Sequence, residues 1–339
     1  MILEATEKIT QKIDLAQEEM ELVMGEIMTG NVATSQVVSF LTALSAKGET
    51  IDEITAAARV MRSHAVKIST DKETILDTCG TGGDKKDTFN ISTVVAFVVA
   101  GCGVTVAKHG NRSVSSCCGS ADILEAAGVK INLSKEKIER CLDKIGIGFL
   151  FAPNMHPAMK HAMAARKEIG KRTIFNILGP LCNPAKATNQ LIGVFSPELA
   201  PVLAQVAGNL GVKHALVVHG KDGLDEITTT DETMISEFIG GKVNSYEIFP
   251  KDFGIKAAYP EDLQGGTVYD NVQIMLEVLN SKSGPARDIV ILNASAALYA
   301  ADRVRSIKEG ISLANDSIDS GRALTKLAFL KALSNEQNC

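Results

Sequence analysis

Four stretches of this chain combine glycines, hydroxyls and charged side chains at spacings that suit anionic ligands and a metal. The first, ILDTCGTGGDKKDTFNIST, sets a glycine-rich loop between a β-branched run and an apolar helical run. At such a junction free backbone amides and the helix dipole favour an anion, and phosphate is the guest expected. Gly80, Gly82 and Gly83 leave room for close backbone approach, Thr81, Thr88 and Thr93 offer hydroxyls, and Asn90 and Ser92 stand at the helix entrance. Dinucleotide and P-loop readings fit poorly, because the spacing is neither GxGxxG nor GxxxxGK[ST]. Taken alone, GTGGD could equally be a plain chain reversal.

The second stretch, VTVAKHGNRSVSSCCGSAD, also follows a strand and ends at a helix start, with Lys108, Asn111, Arg112 and a cluster of serines between. Loops after neighbouring strands of an open parallel sheet share one crevice, so both runs can face one ligand. His109 by itself reads more readily as structural than as catalytic. The third, LVVHGKDGLDEITTT, places adjacent Asp225 and Glu226 in a loop after a strand and a glycine turn. An acidic pair is usually a solvated turn, but beside two phosphate loops it becomes a Mg²⁺ candidate, since that ion takes one or two carboxylates plus phosphate oxygens. In the fourth, FAPNMHPAMKHAMAARKEIGKRTIFNILGPLCNP, Pro157 suits a helix start and Gly170 its end. Arg166 lies on the small-residue stripe of Ala158, Ala162 and Ala165, from which it could hold a carboxylate in a bidentate bond. A surface arginine paired with Glu168 is the competing reading.

These runs need a scaffold, and the sequence outlines one. Up to about Ala65, three apolar stripes at helical spacing are each punctuated by capping residues. Asp14 and Gln17 read as a capping box before Met20, Val23, Met24, Ile27 and Met28, which Gly30 ends. Thr34 is expected to cap the stripe of Val37, Val38, Leu41 and Leu44 before Gly48, and Thr50 with Glu53 forms a second box before Ile54, Ala57, Ala58 and Met61. From Thr74 onward short β-branched runs alternate with helical segments, the signature of a parallel sheet covered by helices. Strands are expected at 74–77, 104–107, 147–151, 191–195 and 215–219. A helix apolar on all sides over 93–100 should be a buried crossover, and 234–249, with Gly240 and Gly241, an antiparallel edge hairpin. The fold class expected is α/β, with a small all-helical domain over residues 1–70 and a large α/β domain over 71–339. Its mainly parallel central sheet is covered by helices, and part of 155–185 packs with the helical domain.

Composition limits the functions open to such a chain. With 339 residues, 45% hydrophobic and 22% charged, it suits a globular protein with a sizeable core. A formal net charge of −5 argues against nucleic-acid binding by general electrostatics and favours small anions. The polar start lacks the regions of a secretion signal and reads as cytoplasmic. No membrane partner is expected, because the apolar run 94–107 is broken by Gly101 and Gly103 and is shorter than the ~20 residues that span a bilayer. Seven cysteines without zinc spacing read as reduced spectator thiols.

Taken in order, GTGGD, NIST, KHGNR, GSAD, HPAM, an arginine with TIFNILGPL, and DGLDE resemble the anthranilate phosphoribosyltransferases. The likeness to this branch of the nucleoside phosphorylase/phosphoribosyltransferase family covers nearly the whole chain. KHGNR and NILGPLCNPA are long, low-degeneracy strings, and a later ILNASAALY segment completes the pattern. The resemblance implies transfer of the phosphoribosyl group of 5-phosphoribosyl 1-pyrophosphate to the amine of anthranilate. The products would be N-(5-phosphoribosyl)anthranilate and pyrophosphate, in tryptophan biosynthesis. It also implies Mg²⁺, with two ions per subunit, and a homodimer built through the helical domains.

Carried over by motif position, the phosphoribosyl pyrophosphate site takes Gly80, Gly83, Asp84, Thr88, Asn90, Ile91, Ser92 and Thr93 from the first loop. From the second it takes Lys108, His109, Gly110, Asn111, Arg112, Ser113, Val114, Ser115, Ser116 and Ser120. Gly80, Asn111 and Arg166 are similar to the family's anthranilate contacts, with His109 and His156 lining the aromatic substrate's route. Ser92, Asp225 and Glu226 look like the metal ligands. Many relatives carry a basic residue where this chain has Cys117, which removes one phosphate contact. No general base is expected, because an aromatic amine is already neutral at pH 7. A pyrimidine nucleoside phosphorylase is the nearest rival reading, but free-phosphate and pyrimidine contacts in place of KHGNR and Arg166 are not seen. A non-catalytic, nucleic-acid-binding homologue should be basic and should lose one of the acidic pair.

Overall fold

A computed structural model describes residues 1–113 and 118–336. The chain opens with α1 (Ile2–Thr10), α2 (Gln17–Thr29), α3 (Thr34–Lys47) and α4 (Ile51–Ser63). α1 is a helix beyond the three stripes expected. Its buried residues are only Ile2, Ala5 and Ile9, a narrow stripe among charged neighbours.

Two of the three helix starts differ from the sequence reading. Asp14 does not cap α2 but pairs with Lys47 at 2.6 Å, and Glu19 instead accepts the Ala16 amide at 2.8 Å. Thr34 is the first helical residue of α3, whose preceding Ala33 amide donates to Gln36 at 3.3 Å. An acid or amide at the third helical position can thus satisfy the amide before a helix without a hydroxyl cap. The Thr50–Glu53 box forms as read, with reciprocal bonds of 2.8 and 3.2 Å. Buried Glu53 also accepts from the Leu15 amide and from Lys47, so a single carboxylate ties α4 to the turn ahead of α2.

The α/β region begins with β1 (Ile75–Asp77), α5 (Ile91–Gly101), β2 (Thr105–Gly110), α6 (Ser120–Ala126), α7 (Lys135–Ile145) and β3 (Ile147–Phe151). Short turns α8 (Ala152–Met155) and Pro157–Met159 lead into α9 (Lys160–Ile169), and α10 (Phe175–Leu178) into β4 (Asn189–Gly193). There follow α11 (Leu199–Asn209), β5 (His214–Gly220), β6 (Thr233–Ile239) and β7 (Lys242–Ile248). The last helices are α12 (Val268–Leu279), α13 (Pro285–Ala300), α14 (Ile307–Asp319) and α15 (Arg322–Asn335).

Strand order is β3-β2-β1-β4-β5-β6-β7, parallel from β3 to β5 and antiparallel through β6 and β7. The expected mainly parallel sheet is therefore present. Gly240 and Gly241, at φ 58° and 80°, make the tight turn of the edge hairpin. β2 runs further than expected, through Lys108 and His109 to Gly110, so these residues are strand and not loop. β4 starts earlier than its apolar run, because polar Asn189 and Gln190 are buried and bonded to the Ala300 and Pro180 carbonyls.

Both faces of the sheet are covered. Leu191, Leu216 and Val218 join one core with α5 and α13, whereas Ile192, Ala215 and Val217 face a second core shared with α11 and the amino-terminal helices, as strand alternation requires. All of α5 except Ser92 is buried, in keeping with its uniformly apolar sequence. Ala162 and Ala165 of α9 are buried where that helix packs on α2 and α3. The small-residue stripe thus serves helix packing, not a ligand's approach. No described helix is long and apolar enough to cross a membrane.

Strand order reverses between β1 and β4. At such a reversal the connections leave in opposite directions and open a crevice beyond the carboxyl ends of the strands.

Candidate functional site

That crevice is built first from backbone. The Thr81 amide donates to the Gly193 carbonyl at 2.8 Å, and the Phe195 amide donates to the Thr81 hydroxyl at 3.2 Å. A Cβ on Gly80 would lie 2.9 Å from the Gly193 oxygen, and one on Gly193 only 1.5 Å from the Asp225 oxygen. Glycine alone lets the loops after β1, β4 and β5 close on each other, which rules out the plain chain reversal. Asn90 then fixes the entrance of α5. Its side chain accepts the Thr93 amide at 3.2 Å and donates to the Cys118 carbonyl at 3.3 Å, while its own amide donates to Asn271 at 2.9 Å. Thr88 forms an isolated bridge with Gln264.

Lys108, 2% exposed, donates to the Thr78 carbonyl and hydroxyl, each at 3.2 Å, and to the Ser92 hydroxyl at 3.1 Å. Burial pushes its ammonium below the ordinary lysine range, against the pull of Cys79, Asp77 and Glu226. Across from it, Asp84 accepts the Asp225 amide at 3.4 Å. Burial, then the Asp84 charge, raises Asp225 to about 8, and burial with Asp225 drives Glu226 well above the carboxylate range. Acids pushed upward by burial and by one another, together with a serine hydroxyl, make an oxygen donor set of the kind hard divalent cations take.

Sequence reasoning missed the residue that steadies this acidic loop. Asn293 of α13, fully buried, accepts the Ile227 amide at 2.9 Å and donates to the Ile227 carbonyl at 2.7 Å. An asparagine directly after the apolar run IVIL of α13, within ILNASAALY, was the available signal.

Asp77 is a second hub. It accepts from the His109 amide at 3.1 Å and from Asn183 at 2.7 Å, and Asn183 also donates to the Ala107 carbonyl at 2.8 Å. Burial raises Asp77 to about 6. Ligand atoms of Asp77, Cys79 and His109 lie within 4.8 Å of one another, but both Asp77 oxygens are engaged and Lys108 already supplies positive charge beside them. We read the group as a hydrogen-bonded hub and not as a metal site.

His109 Nδ1 lies 3.0 Å from the Gly179 carbonyl and so carries the proton, leaving Nε2 buried without a partner among the described residues. Burial, then His156, lowers His109 to about 3, and burial lowers His156 to about 4. Two neutral rings therefore meet at 5.1 Å. Arg166 is half-buried over the Phe175 ring at 5.6 Å, and its guanidinium makes no hydrogen bond or ion pair among the described residues. The Glu168 pairing does not form.

Other expected residues lie elsewhere. Arg112 pairs with Asp122 and Glu125 of α6, each at 2.9 Å, and Asp122 also accepts the Ser113 and Gly119 amides. The side chains of Thr93 and Ile91 are buried, and the Thr93 hydroxyl is sealed inside without a partner among the described residues, so it is no donor to the crevice in this structure. Asn111 is exposed at the end of β2, Gly110 closes that strand and Ser120 opens α6. Val114, Ser115, Ser116 and Cys117 lie outside the described residues.

Comparison with known proteins follows this geometry closely. The pattern of the "Glycosyl transferase family, helical bundle domain" matches residues 3–65, and that of the "Glycosyl transferase family, a/b domain" residues 72–324. The anthranilate phosphoribosyltransferase of Symbiobacterium thermophilum is 54% identical, over 93% of each chain. The enzyme of that name from Thermus thermophilus superposes with a TM-score of 0.93 at 41% identity, covering 98% of this chain and 99% of that one. The Saccharomyces cerevisiae enzyme, in complex with PRPP and Mg, superposes at 0.90 with 28% identity, covering 98% and 97%.

The chain belongs to the anthranilate phosphoribosyltransferase family.

In a member of the anthranilate phosphoribosyltransferases, Ser92, Asp225 and Glu226 form a donor set that suits Mg²⁺, since burial and mutual repulsion push both acids above the carboxylate range and a divalent cation would relieve both. Metal must then displace protons, which gives the sign of the pH dependence. With Asp225 at about 8, Mg²⁺ affinity should weaken steadily as pH falls from 8 to 6. Calorimetry in two buffers of different ionisation heat should detect proton release on binding. A pH-independent affinity with no release would remove the acidic pair as ligands.

Proposed function

We propose that the chain transfers the phosphoribosyl group of 5-phosphoribosyl 1-pyrophosphate to the amine of anthranilate, yielding N-(5-phosphoribosyl)anthranilate and pyrophosphate. The observation that carries this reading is the meeting of the glycine loop, buried Lys108 and the adjacent acids Asp225 and Glu226 at the strand-order reversal. Groups suited to phosphate and to a metal thereby share one crevice with a buried ammonium. Family membership supplies the substrates' identity.

The phosphate loops would receive the substrate along Gly80, Gly83, Asp84, Asn90 and Ser92 on one side and Asn111 and Ser120 on the other. Mg²⁺, when bound, would neutralise pyrophosphate oxygens and so improve the leaving group. Ser92, Asp225 and Glu226 would hold it. We place two ions there, because Asp84, Asp225 and Glu226 together carry more negative charge than one divalent ion cancels. Lys108, fixed by Thr78 and Ser92, adds a preorganised positive charge that favours pyrophosphate departure as the ribose gains oxocarbenium character. Arg112, paired with Asp122, would shape the second loop and not touch phosphate.

Anthranilate needs a cation for its carboxylate and a wall for its ring. Arg166, unpaired and half-buried, offers the first. His109 and His156 offer the second as neutral rings that do not compete for the carboxylate. Because the amine is already a free base at pH 7, holding it near the ribose carbon is the main task, and such positioning can remove several kcal/mol from a barrier.

The direct test is anthranilate fluorescence, which should fall when protein, Mg²⁺ and phosphoribosyl pyrophosphate are mixed. Asp225→Asn with Glu226→Gln should abolish the fall at ordinary Mg²⁺ with an unchanged circular dichroism spectrum, and wild type should take up two ions with pyrophosphate. Steady fluorescence with wild type would end this reading, and full turnover by the double variant would end the metal assignment.

Arg166→Ala should cost roughly 1.5 to 3 kcal/mol of anthranilate recognition, so the specificity constant for anthranilate falls by about one to two orders of magnitude. Lysine should rescue only in part, lacking the planar fork. Loss of phosphoribosyl pyrophosphate binding with an unchanged anthranilate KM would instead put Arg166 in the phosphate site.

The exposed Leu3, Leu22 and Met163 of α1, α2 and α9, at 58%, 54% and 52%, support a homodimer formed through the helical region. Sedimentation at micromolar concentration should give twice the chain mass. A monomer would refute it.

A further inference from the structure

Arg172 has no part in the site described above, yet it touches that site twice. Its guanidinium donates to the Gly83 carbonyl and lies over the Phe195 ring with 3.7 Å to the ring centre. Phe195 follows β4 and gives its amide to the Thr81 hydroxyl. A closed circuit therefore runs from Thr81 through Phe195 and Arg172 back to Gly83, bracketing the glycine loop.

The loop needs such a bracket. Gly82 and Gly83 take φ of 66° and 81°, and beyond them Lys85 and Asp87 take 61° and 54° without being glycine. Side-chain-bearing residues in that region are strained and persist only where their surroundings hold them. The carbonyl of Gly83 and the amide of Asp84 belong to one planar peptide and point in opposite directions. Anchoring the carbonyl on Arg172 turns the Asp84 amide away from Arg172, free to meet an anion.

We propose that Arg172 is a positioning residue that locks the Gly83–Asp84 peptide in the orientation that receives pyrophosphate, with Phe195 as the platform that holds its guanidinium flat. The inference rests on the phosphoribosyl transfer proposed above and assigns Arg172 no contact with substrate. Phe195 matters through the stack and not through its bulk alone. Arg172 also follows α9 directly, so the segment that carries Arg166 and the loop that holds the leaving group are joined by one side chain.

Arg172 is exposed, so its removal should leave the fold intact. Arg172→Ala should raise the KM for phosphoribosyl pyrophosphate roughly tenfold, the worth of one charge-assisted hydrogen bond, while the anthranilate KM moves less than about twofold. Arg172→Gln, which keeps an amide N–H but is shorter and uncharged, should recover part of the loss. Phe195→Leu should act in the same direction, and the double variant should be little worse than Arg172→Ala alone.

Calorimetry of Mg²⁺-pyrophosphate with each variant reads the loop without turnover. Weakened pyrophosphate binding in Arg172→Ala, even from a wild type that turned over no anthranilate, would uphold the Arg172 role and sink only the proposed reaction. An active wild type with unaltered pyrophosphate binding in Arg172→Ala would sink the Arg172 role alone. So would Gln behaving as poorly as Ala, which would make the charge itself a substrate contact, or independent, additive effects of the two substitutions.

Discussion

Three backbone segments touching at the strand-order reversal govern the rest of the crevice. With Gly193 against the Asp225 carbonyl and Gly80 against Gly193, no side chain separates the loops after β1, β4 and β5. The acids must then sit beside each other and beside the glycine loop, and their mutual repulsion follows from main-chain geometry rather than from any attraction between them. Lys108 offsets part of that charge from below and is itself costly to bury. A site so arranged carries crowded acidic charge that a metal with pyrophosphate would complete under the function proposed.

Single buried or half-buried polar residues hold the surrounding loops to the sheet. Asp77 joins β1 to β2 and to the segment after α10, Asn90 joins the two phosphate loops and α12, and Asn293 grips the residue next to Glu226. Each satisfies backbone groups that have no ladder partner where strands end. An apolar residue of equal volume would fill the space and leave those amides and carbonyls unpaired. Position at the crevice is thus set by directional bonds, whereas the sheet and its helices rest on apolar burial.

The sequence made the periodic parts plain. α5, the five parallel strands and the hairpin each carry a repeat or a turn signal that survives without tertiary context, and glycine-rich loops between strand and helix mark where an anion can sit. Local chemistry at element ends was harder to read. Glu19 and Gln36 do the work that Asp14 and Thr34 were expected to do, because several nearby residues can satisfy the same amides and only the fold chooses among them. α1 has too few apolar residues to announce itself. The alanines beside Arg166 looked like room for a ligand when they were room for a helix. Asn293 and Ile227, 66 residues apart, could not be paired without the structure. For Arg112, adjacency to a phosphate loop said nothing of the nearer carboxylates on α6 that claim it.

The pairing of β1 with β4 joins positions 113 residues apart, as the contact of Ile75 with Thr188 records. A chain emerging from the ribosome can therefore assemble β1, β2 and β3 while one edge of β1 stays open, and that edge is sealed only when β4 arrives. The amino-terminal helices wait as well, since Ile192, Ala215 and Val217 are part of the core they share. The crevice, lying at that same seam, comes into being late in synthesis. Until then an unpaired strand edge of high β propensity is available to a second nascent copy, so the hazard of misassembly in this fold belongs to the same place in the sheet as its chemistry.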